Sequence, residues 1–329
     1  MQASSCPAAD VKAWFAAAAA AIIASAALGQ SYPSKPLRFI VADGAGGAAD
    51  LRARQIGVKL AEFLGQPVVI DNRPGGSMMI AAEAAAKAAP DGYTLFMGNC
   101  ITHSLNPLLF TRLPYRPDHD FVPVTMITAG PLILVVHAQV PARTLAELVE
   151  IGRTRPDQLH YAMIGRGSPI HLVMEQLKAV TGGQFLAVPY KSTGTMIQDL
   201  VGGHMPITLN YWSIVGTHIR SGKLRALGVA AARRLEVAPE IPTFAEAGVA
   251  GVEGGCWQGI FVPPGTPKPV VDRIYRETVR VLNVPEIRNQ IIETGAEVGG
   301  NSPEEFAAMI RADQERSKKA AAVAGLSPE

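Results

Sequence analysis

Leu37-Arg38-Phe39-Ile40-Val41-Ala42-Asp43-Gly44-Ala45-Gly46-Gly47-Ala48-Ala49-Asp50 runs from an apolar stretch through a glycine-rich turn into residues 49–64, where Leu51, Ile56, Leu60 and Leu64 recur at helical spacing. The spacing predicts a strand over 37–42, a helix over 49–64 and a second strand over 68–71. The glycines and Asp50 belong to the turn between them. Outward from this unit the alternation repeats: helix 78–88, strand 94–97, strand 133–136, helix 145–153, strand 159–162 and helix 171–181. Pro-containing turns at 73–76, 90–92 and 263–267 punctuate the units. Strands that alternate with helices at this interval predict an α/β architecture of parallel-rich sheets flanked by helices on both faces. The charge-rich stretch 303–322 reads as two surface helices with a solvated face.

Composition narrows the class. The chain has 329 residues, 30 Lys+Arg against 28 Asp+Glu, a net charge of +2 and 48% hydrophobic residues. That excludes a disordered chain, and three cysteines exclude a disulfide scaffold. The near-zero charge leaves no basic stripe, so nucleic acid is not an expected partner. The length predicts about two domains.

Phe15 to Leu28 is an apolar run of roughly 14 residues, short of the about 20 that a bilayer span needs. With the small residues around Ala24 to Gly29, it reads as a secretory signal peptide over 1–29, cleaved near Gly29-Gln30. The mature protein is then exported and Cys6 leaves with the leader. The partnership of Cys100 and Cys256 cannot be read from sequence and their spacing suggests no metal site; two separate half-buried thiols are favoured over a disulfide.

Two turns carry candidate chemistry. The turn after the first strand, Ala45, Gly46, Gly47 and Ala48 before Asp50, leaves backbone N–H groups at a helix N-terminus, a natural seat for an anion. It also matches G-x-G-x-x-A formally, so a dinucleotide reading stays open, with Asp71 ending the second strand. The second is Gly165-Arg166-Gly167-Ser168-Pro169-Ile170-His171. Ser168 as a nucleophile fails on pattern, because Pro169-Ile170 stand where a nucleophile elbow reads x-G; Ser168 is an N-cap with Pro169 at the first helical position. Arg166 in this turn suits bidentate clamping of a carboxylate. The seven histidines are scattered with no metal-binding spacing, and no cofactor is implied.

A chain of alternating α/β units with two anion cradles in different halves and no catalytic set suggests a binding protein. The residues go further. Tyr32-Pro33-x-x-Pro36-x-Arg38-x-Ile40-Val41 before Gly46-Gly47-x-x-Asp50 resembles the Bug family, the TctC-like periplasmic solute receptors of tripartite tricarboxylate transporters. The resemblance continues through Leu64-Gly65-Gln66-Pro67, Asp71-Asn72-Arg73-Pro74-Gly75, Pro90-Asp91-Gly92-Tyr93-Thr94-Leu95, Gly167-Ser168-x-x-His171, Val188-Pro189-Tyr190-Lys191, Gly222-Lys223-Leu224-Arg225-Ala226-Leu227 and Pro242-Thr243-x-Ala245-Glu246-Ala247-Gly248.

The resemblance implies a two-domain periplasmic-binding-protein (Venus-flytrap) fold with a ligand cleft between the domains. The expected division is residues 30–132 with 258–329 for a discontinuous domain 1 and 133–257 for domain 2, with crossings near 133–136 and 259–262. It implies that the two turns hold the ends of a small carboxylate ligand, and that membrane permease subunits are the partners of a monomeric receptor. Ligand-binding candidates are then Ala45, Gly46, Gly47, Ala48 and Asp50 in the first turn, Asn99, Cys100 and Thr102 at the end of a strand, Arg166, Gly167, Ser168 and His171 in the second turn, and Lys191 and Asn210. Tyr211 and Trp212 beside Asn210 either stack on a ligand or belong to the core. Asp43 departs from the family, which usually has an aromatic residue there; it is expected to face outward and solvate the loop, the alternative being a carboxylate in the cleft that repels an anionic ligand. A sensor presenting the same fold to a signalling membrane protein, or an enzyme, are the alternatives.

Overall fold

The computed structural model describes residues 32–155 and 159–328. The expected leader over 1–29, with Cys6, lies outside them.

Leu37–Val41 (β1), Ala48–Leu64 (α1) and Val68–Asn72 (β2) form the predicted first unit. Along α1, Ala53, Ile56, Gly57, Leu60 and Leu64 make one buried stripe, and Gly65 ends the helix in the left-handed region at φ 73°. There follow Met79–Ala86 (α2), Thr94–Asn99 (β3), a π-helical turn at Ile101–Leu105, Asn106–Leu109 (α3), Val122–Pro131 (β4) and Ile133–His137 (β5). Next come Leu145–Thr154 (α4), His160–Met163 (β6), Pro169–Thr181 (α5), Leu186–Pro189 (β7), Thr193–Val201 (α6), Ile207–Asn210 (β8), Trp212–Arg220 (α7) and Leu224–Val229 (β9). The chain closes with Gly255–Val262 (β10), Lys268–Leu282 (α8), Pro285–Glu293 (α9), Glu297–Val298 (β11) and Pro303–Val323 (α10).

The strands build two sheets, ordered β11-β4-β10-β3-β1-β2 and β7-β6-β8-β5-β9. Both are mixed. β1 runs parallel to β2 and β3, and β6 parallel to β7 and β8, whereas β10 pairs antiparallel with β3 and β4, and β5 antiparallel with β8 and β9. The antiparallel pairs arise where the chain leaves one sheet and returns. It passes between the sheets at Leu132, between β4 and β5, and again between Val229 and Gly255. Residues 259–262, where the second crossing was expected, lie inside β10.

Each sheet is buried on both faces, as helices on both sides require. Phe39 and Val41 of β1 join Ile56, Leu60 and Ile274 on one face, while Ile40 turns to Phe96, Phe261, Phe306 and Ile310 on the other. In the second sheet Leu134 and Val136 pack with Leu148, Val173 and Leu177, and Ile133 and Val135 with Leu200, Trp212 and Val215. Leu172 of α5 packs into the first sheet's cluster, tying the two layers together.

The C-terminal stretch corrects the sequence reading. It is one helix, α10, because no Gly or Pro interrupts 304–323 and Ser302 and Glu305 form a reciprocal capping box at its start. Its inner side is not solvated: Phe306, Ile310, Asp313, Ser317, Ala320 and Ala321 are buried. Asp313 accepts from Ser104 Oγ at 2.6 Å and Trp257 Nε1 at 2.9 Å, which satisfies a carboxylate under the sheet.

Candidate functional site

β1 and β3 lie side by side with Val41 opposite Met97, so the turn after Val41 and the segment after Asn99 leave the same edge of the first sheet. In the second sheet Met163 lies opposite Pro189 and Ala162 opposite Thr208, which sends residues 164–168, 190–193 and 210–211 off a single edge. Ligands of open α/β sheets bind at such carboxyl edges.

A cavity of about 390 Å³ lies between the layers. Ile101, Leu105, Leu109 and Cys256 line it from the first, and Ile164, residues 166–170, Thr193, Asn210, Tyr211 and Ile214 from the second. Its size falls in the usual range for small-molecule sites. Among the described residues Arg166 is the one charged side chain on its wall, and no carboxylate among them pairs with it. Arg166 is exposed and sits one turn before the N-terminus of α5, where the helix dipole adds to its field.

The second turn is built around glycine. Gly165 and Gly167 have φ of 80° and 75°, and a Cβ on Gly167 would run into Leu109 across the cleft. Ser168 is the N-cap of α5, its Oγ accepting from His171 N at 3.3 Å. Gly167 N donates to His171 Nδ1 at 3.1 Å, so the imidazole is neutral with its proton on Nε2, the side facing Glu175 Oε1 at 3.8 Å. Burial lowers the His171 pKa; Glu175 opposes this, and Arg166 and Lys178 reinforce it. His171 is therefore a support beneath the turn and not part of the cavity wall.

The first turn differs. Asp43 does not face away from the protein. Its carboxylate folds back over the start of α1, accepting from Gly44 N at 3.0 Å and Ala49 N at 3.2 Å, and it lies against Gly47, where a Cβ would displace it. Gly46 N donates to Asp50 Oδ2 at 2.8 Å and Gly47 N to Gly44 O at 3.0 Å. Asp50 is buried, taking Arg54 Nε at 2.9 Å and Asn72 Nδ2 at 2.9 Å. The Arg54 hydrogen bond, with those from Gly46 N and Asn72, holds its carboxyl far below the usual range. Ala45 and Ala48 are exposed beside it.

At the end of β3, Asn99 Oδ1 accepts from Ile101 N at 3.0 Å and Thr102 N at 3.1 Å, and Thr102 Oγ1 donates to Asn99 O at 3.0 Å. Asn99 and Thr102 cap the π-helical turn and are buried; it is Ile101 of this loop that reaches the cavity. Cys100 overturns the expectation of separate thiols: it forms a disulfide with Cys256. The partner is 156 residues away in sequence, and only the pairing of β10 beside β3 brings the two within reach, at a Cα separation of 5.3 Å.

Lys191 is exposed and off the cavity wall; its neighbour Ser192 caps α6, and Thr193 reaches the cavity in its place. Asn210 and Tyr211 both line it, with Asn210 Oδ1 accepting from Tyr211 N at 2.9 Å. Burial pushes the Tyr211 phenol up to about 12, leaving a neutral hydroxyl. Trp212 belongs to the core, with Arg220 over its ring at 5.0 Å. The structure thus brings together Arg166, Gly167, Ser168 and Asn210 and adds Ile101, Leu105, Leu109, Ile170 and Ile214. In sequence the added residues are indistinguishable from core apolar positions. Among the described residues no group of three or more His, Cys, Asp or Glu is placed to hold a metal, and no helix is long and apolar enough to cross a membrane.

Comparison with known proteins agrees with this architecture. The family model described as "Tripartite tricarboxylate transporter family receptor" matches residues 52–326. A UPF0065 protein of Pseudomonas sp. (strain P51) is 35% identical over 290 residues, covering 88% of this chain and 86% of that protein. Protein BugT of Bordetella pertussis is 33% identical over 283 residues, covering 84% of this chain and 86% of that protein. Among solved structures, an R. palustris protein with adipate superposes with a TM-score of 0.78 at 35% identity, covering 91% of this chain and 100% of that one. MatC from Rhodopseudomonas palustris with bound malate superposes at 0.72 and 33% identity, covering 88% and 99%. With two helix-covered mixed sheets around a cavity, and solved relatives that hold adipate and malate, the chain belongs to the Bug/TctC family of tripartite tricarboxylate transporter receptors, solute-binding proteins and not enzymes.

Proposed function

We propose that this protein is an extracytoplasmic receptor that captures a small carboxylate-bearing metabolite and delivers it to the membrane permease of a tripartite tricarboxylate-type transporter. The observation that carries the reading is the cavity of about 390 Å³ with Arg166 as its one charged wall residue among those described, beside the N-terminus of α5. A guanidinium next to a helix N-terminus favours a carboxylate through charge-assisted hydrogen bonds. Relatives solved with adipate and malate support that ligand class. In this reading the residues up to Leu132 together with those from Gly255 onward form one lobe and the residues between them the other, a leader over 1–29 directs the chain to the periplasm, and the receptor acts as a monomer.

Ligand capture is a shift between open and closed populations. Contacts made only when the lobes meet supply the free-energy difference. Leu109 against Gly167 is one contact of that kind between the layers.

The test is a thermal-shift screen of the mature protein, stripped of co-purified ligand, against mono-, di- and tricarboxylates, amino acids and nucleotides. A saturable rise in Tm with carboxylates, reduced in Arg166→Gln, supports the reading. Stabilisation by nucleotides alone overturns it.

A further inference from the structure

We propose that this receptor selects a monocarboxylate with an apolar body, and that Asp43 discriminates against dicarboxylates. The inference rests on the carboxylate-receptor reading and deepens it.

The first observation is the cavity wall. Ile101, Leu105 and Leu109 on one side and Ile164, Ile170 and Ile214 on the other make it largely aliphatic, with the ring of Tyr211 beside Asn210. Arg166 is the one charge there among the described residues, so the wall compensates one carboxylate. A second carboxylate inside would be desolvated against isoleucine and leucine, which costs far more than placing a hydrocarbon there.

The second observation concerns the first turn. A two-ended anion would need its other charge met on the opposite side of the cleft. In this chain the turn after β1 leaves the first sheet beside the Ile101 loop, and four amides in and just after it already have acceptors. Asp43 takes Gly44 N and Ala49 N at 3.0 and 3.2 Å, Asp50 takes Gly46 N at 2.8 Å, and Gly44 O takes Gly47 N at 3.0 Å. The Asp50 charge is balanced by Arg54 at 2.9 Å. The Asp43 carboxylate has no cationic partner among the described residues and stands where an external anion would gain from the helix dipole. A ligand carboxylate arriving there must displace a tethered carboxylate of the same charge. An apolar or neutral end meets no such competitor.

The experiment is isothermal titration calorimetry of the mature receptor with benzoate, octanoate, adipate and malate. It is run on the natural chain and on Asp43→Ala and Asp43→Asn, the second variant keeping the side-chain volume and one acceptor oxygen over α1. The expected result is that benzoate or octanoate binds the natural chain at least about tenfold more tightly than either dicarboxylate. Either variant should raise affinity for adipate by about tenfold or more while changing the monocarboxylate Kd less than about threefold. Adipate or malate binding as tightly as the monocarboxylates, or a dicarboxylate ratio unmoved in both folded variants, overturns the selectivity and leaves the carboxylate receptor standing. Heat from none of the four acids overturns both readings.

Discussion

Gly167 gives its backbone N–H to Nδ1 of His171 at 3.1 Å, so the shape of the second turn depends on an imidazole that stays neutral. The folded-state pKa of His171 lies below its ordinary 6.5, through burial first and through Arg166 and Lys178, against the opposing pull of Glu175. A depressed pKa means that the folded state holds fewer protons than the unfolded one. Its contribution is complete above about pH 6.5 and is lost as pH falls through the folded value. His103, which burial pushes down to about 3, contributes in the same direction, its loss beginning at the same pH and continuing down to about 3. Urea melts of the natural chain and of His171→Asn, whose Oδ1 can accept from Gly167 N without titrating, should therefore converge above pH 7. They should separate as pH falls below about 6.5, the variant losing less stability. Parallel pH profiles for the two would show that the imidazole is not the titrating support.

Gly167→Ala tests the packing of the same turn. The φ of 75° alone costs an L-residue about 1–2 kcal/mol, and the new Cβ meets Leu109. Leu109→Ala in the same chain should relieve the clash but not the backbone term, so the double variant recovers only part of the loss in a denaturant titration. Additive losses would mean that Leu109 does not press on this glycine.

The disulfide between Cys100 and Cys256 closes a separation of 156 residues between the end of β3 and the start of β10. Replacing both cysteines by alanine should cost about 2–5 kcal/mol, seen as a lower Tm that no longer responds to reductant. An equal Tm for the natural chain with and without reductant would place the two thiols apart in solution.

Asp313 anchors α10 beneath the first sheet by accepting from Ser104 at 2.6 Å and Trp257 at 2.9 Å. Asp313→Ala leaves a buried hydroxyl and an indole N–H without their acceptor, an expected loss of about 2–4 kcal/mol in urea melts. Ser302→Ala at the head of the same helix removes the cap and should cost about 1 kcal/mol. A larger loss at Ser302 than at Asp313 would reverse this ranking of the two anchors.

Arg166→Gln should weaken carboxylate binding about ten- to a hundredfold, the range for losing a hydrogen bond to a charged group, with little change in Tm of the unliganded protein because the side chain is exposed. Calorimetry with one carboxylate ligand reads both. Unchanged affinity would move the anion away from the second turn.

Local rules made much of the architecture legible. The Leu37–Val41 strand, the α1 stripe from Ala53 to Leu64 and the N-cap at Ser168 follow from apolar period, glycine position and a hydroxyl before Pro169, all encoded within a few residues of one another. The site was legible only in part. Arg166, Gly167, Ser168 and Asn210 line the cavity, but Ile101, Leu105 and Leu109 carry no mark that separates a cleft wall from a core. Asn99 and Thr102 read as cleft side chains, but they spend their polar atoms on capping the turn they begin.

The alternating strands and helices, the two glycine-rich turns and the family are legible in the chain order, because periodicity, turn chemistry and short ordered motifs are local properties. Packing between distant segments decided that Cys100 meets Cys256, that the Phe306, Ile310 and Asp313 side of α10 is buried, and that Ile101, Leu105 and Leu109 face a cavity. Each of these depends on which surfaces the folded chain brings into contact, which is set by the packing of distant segments and not by the residues on either side.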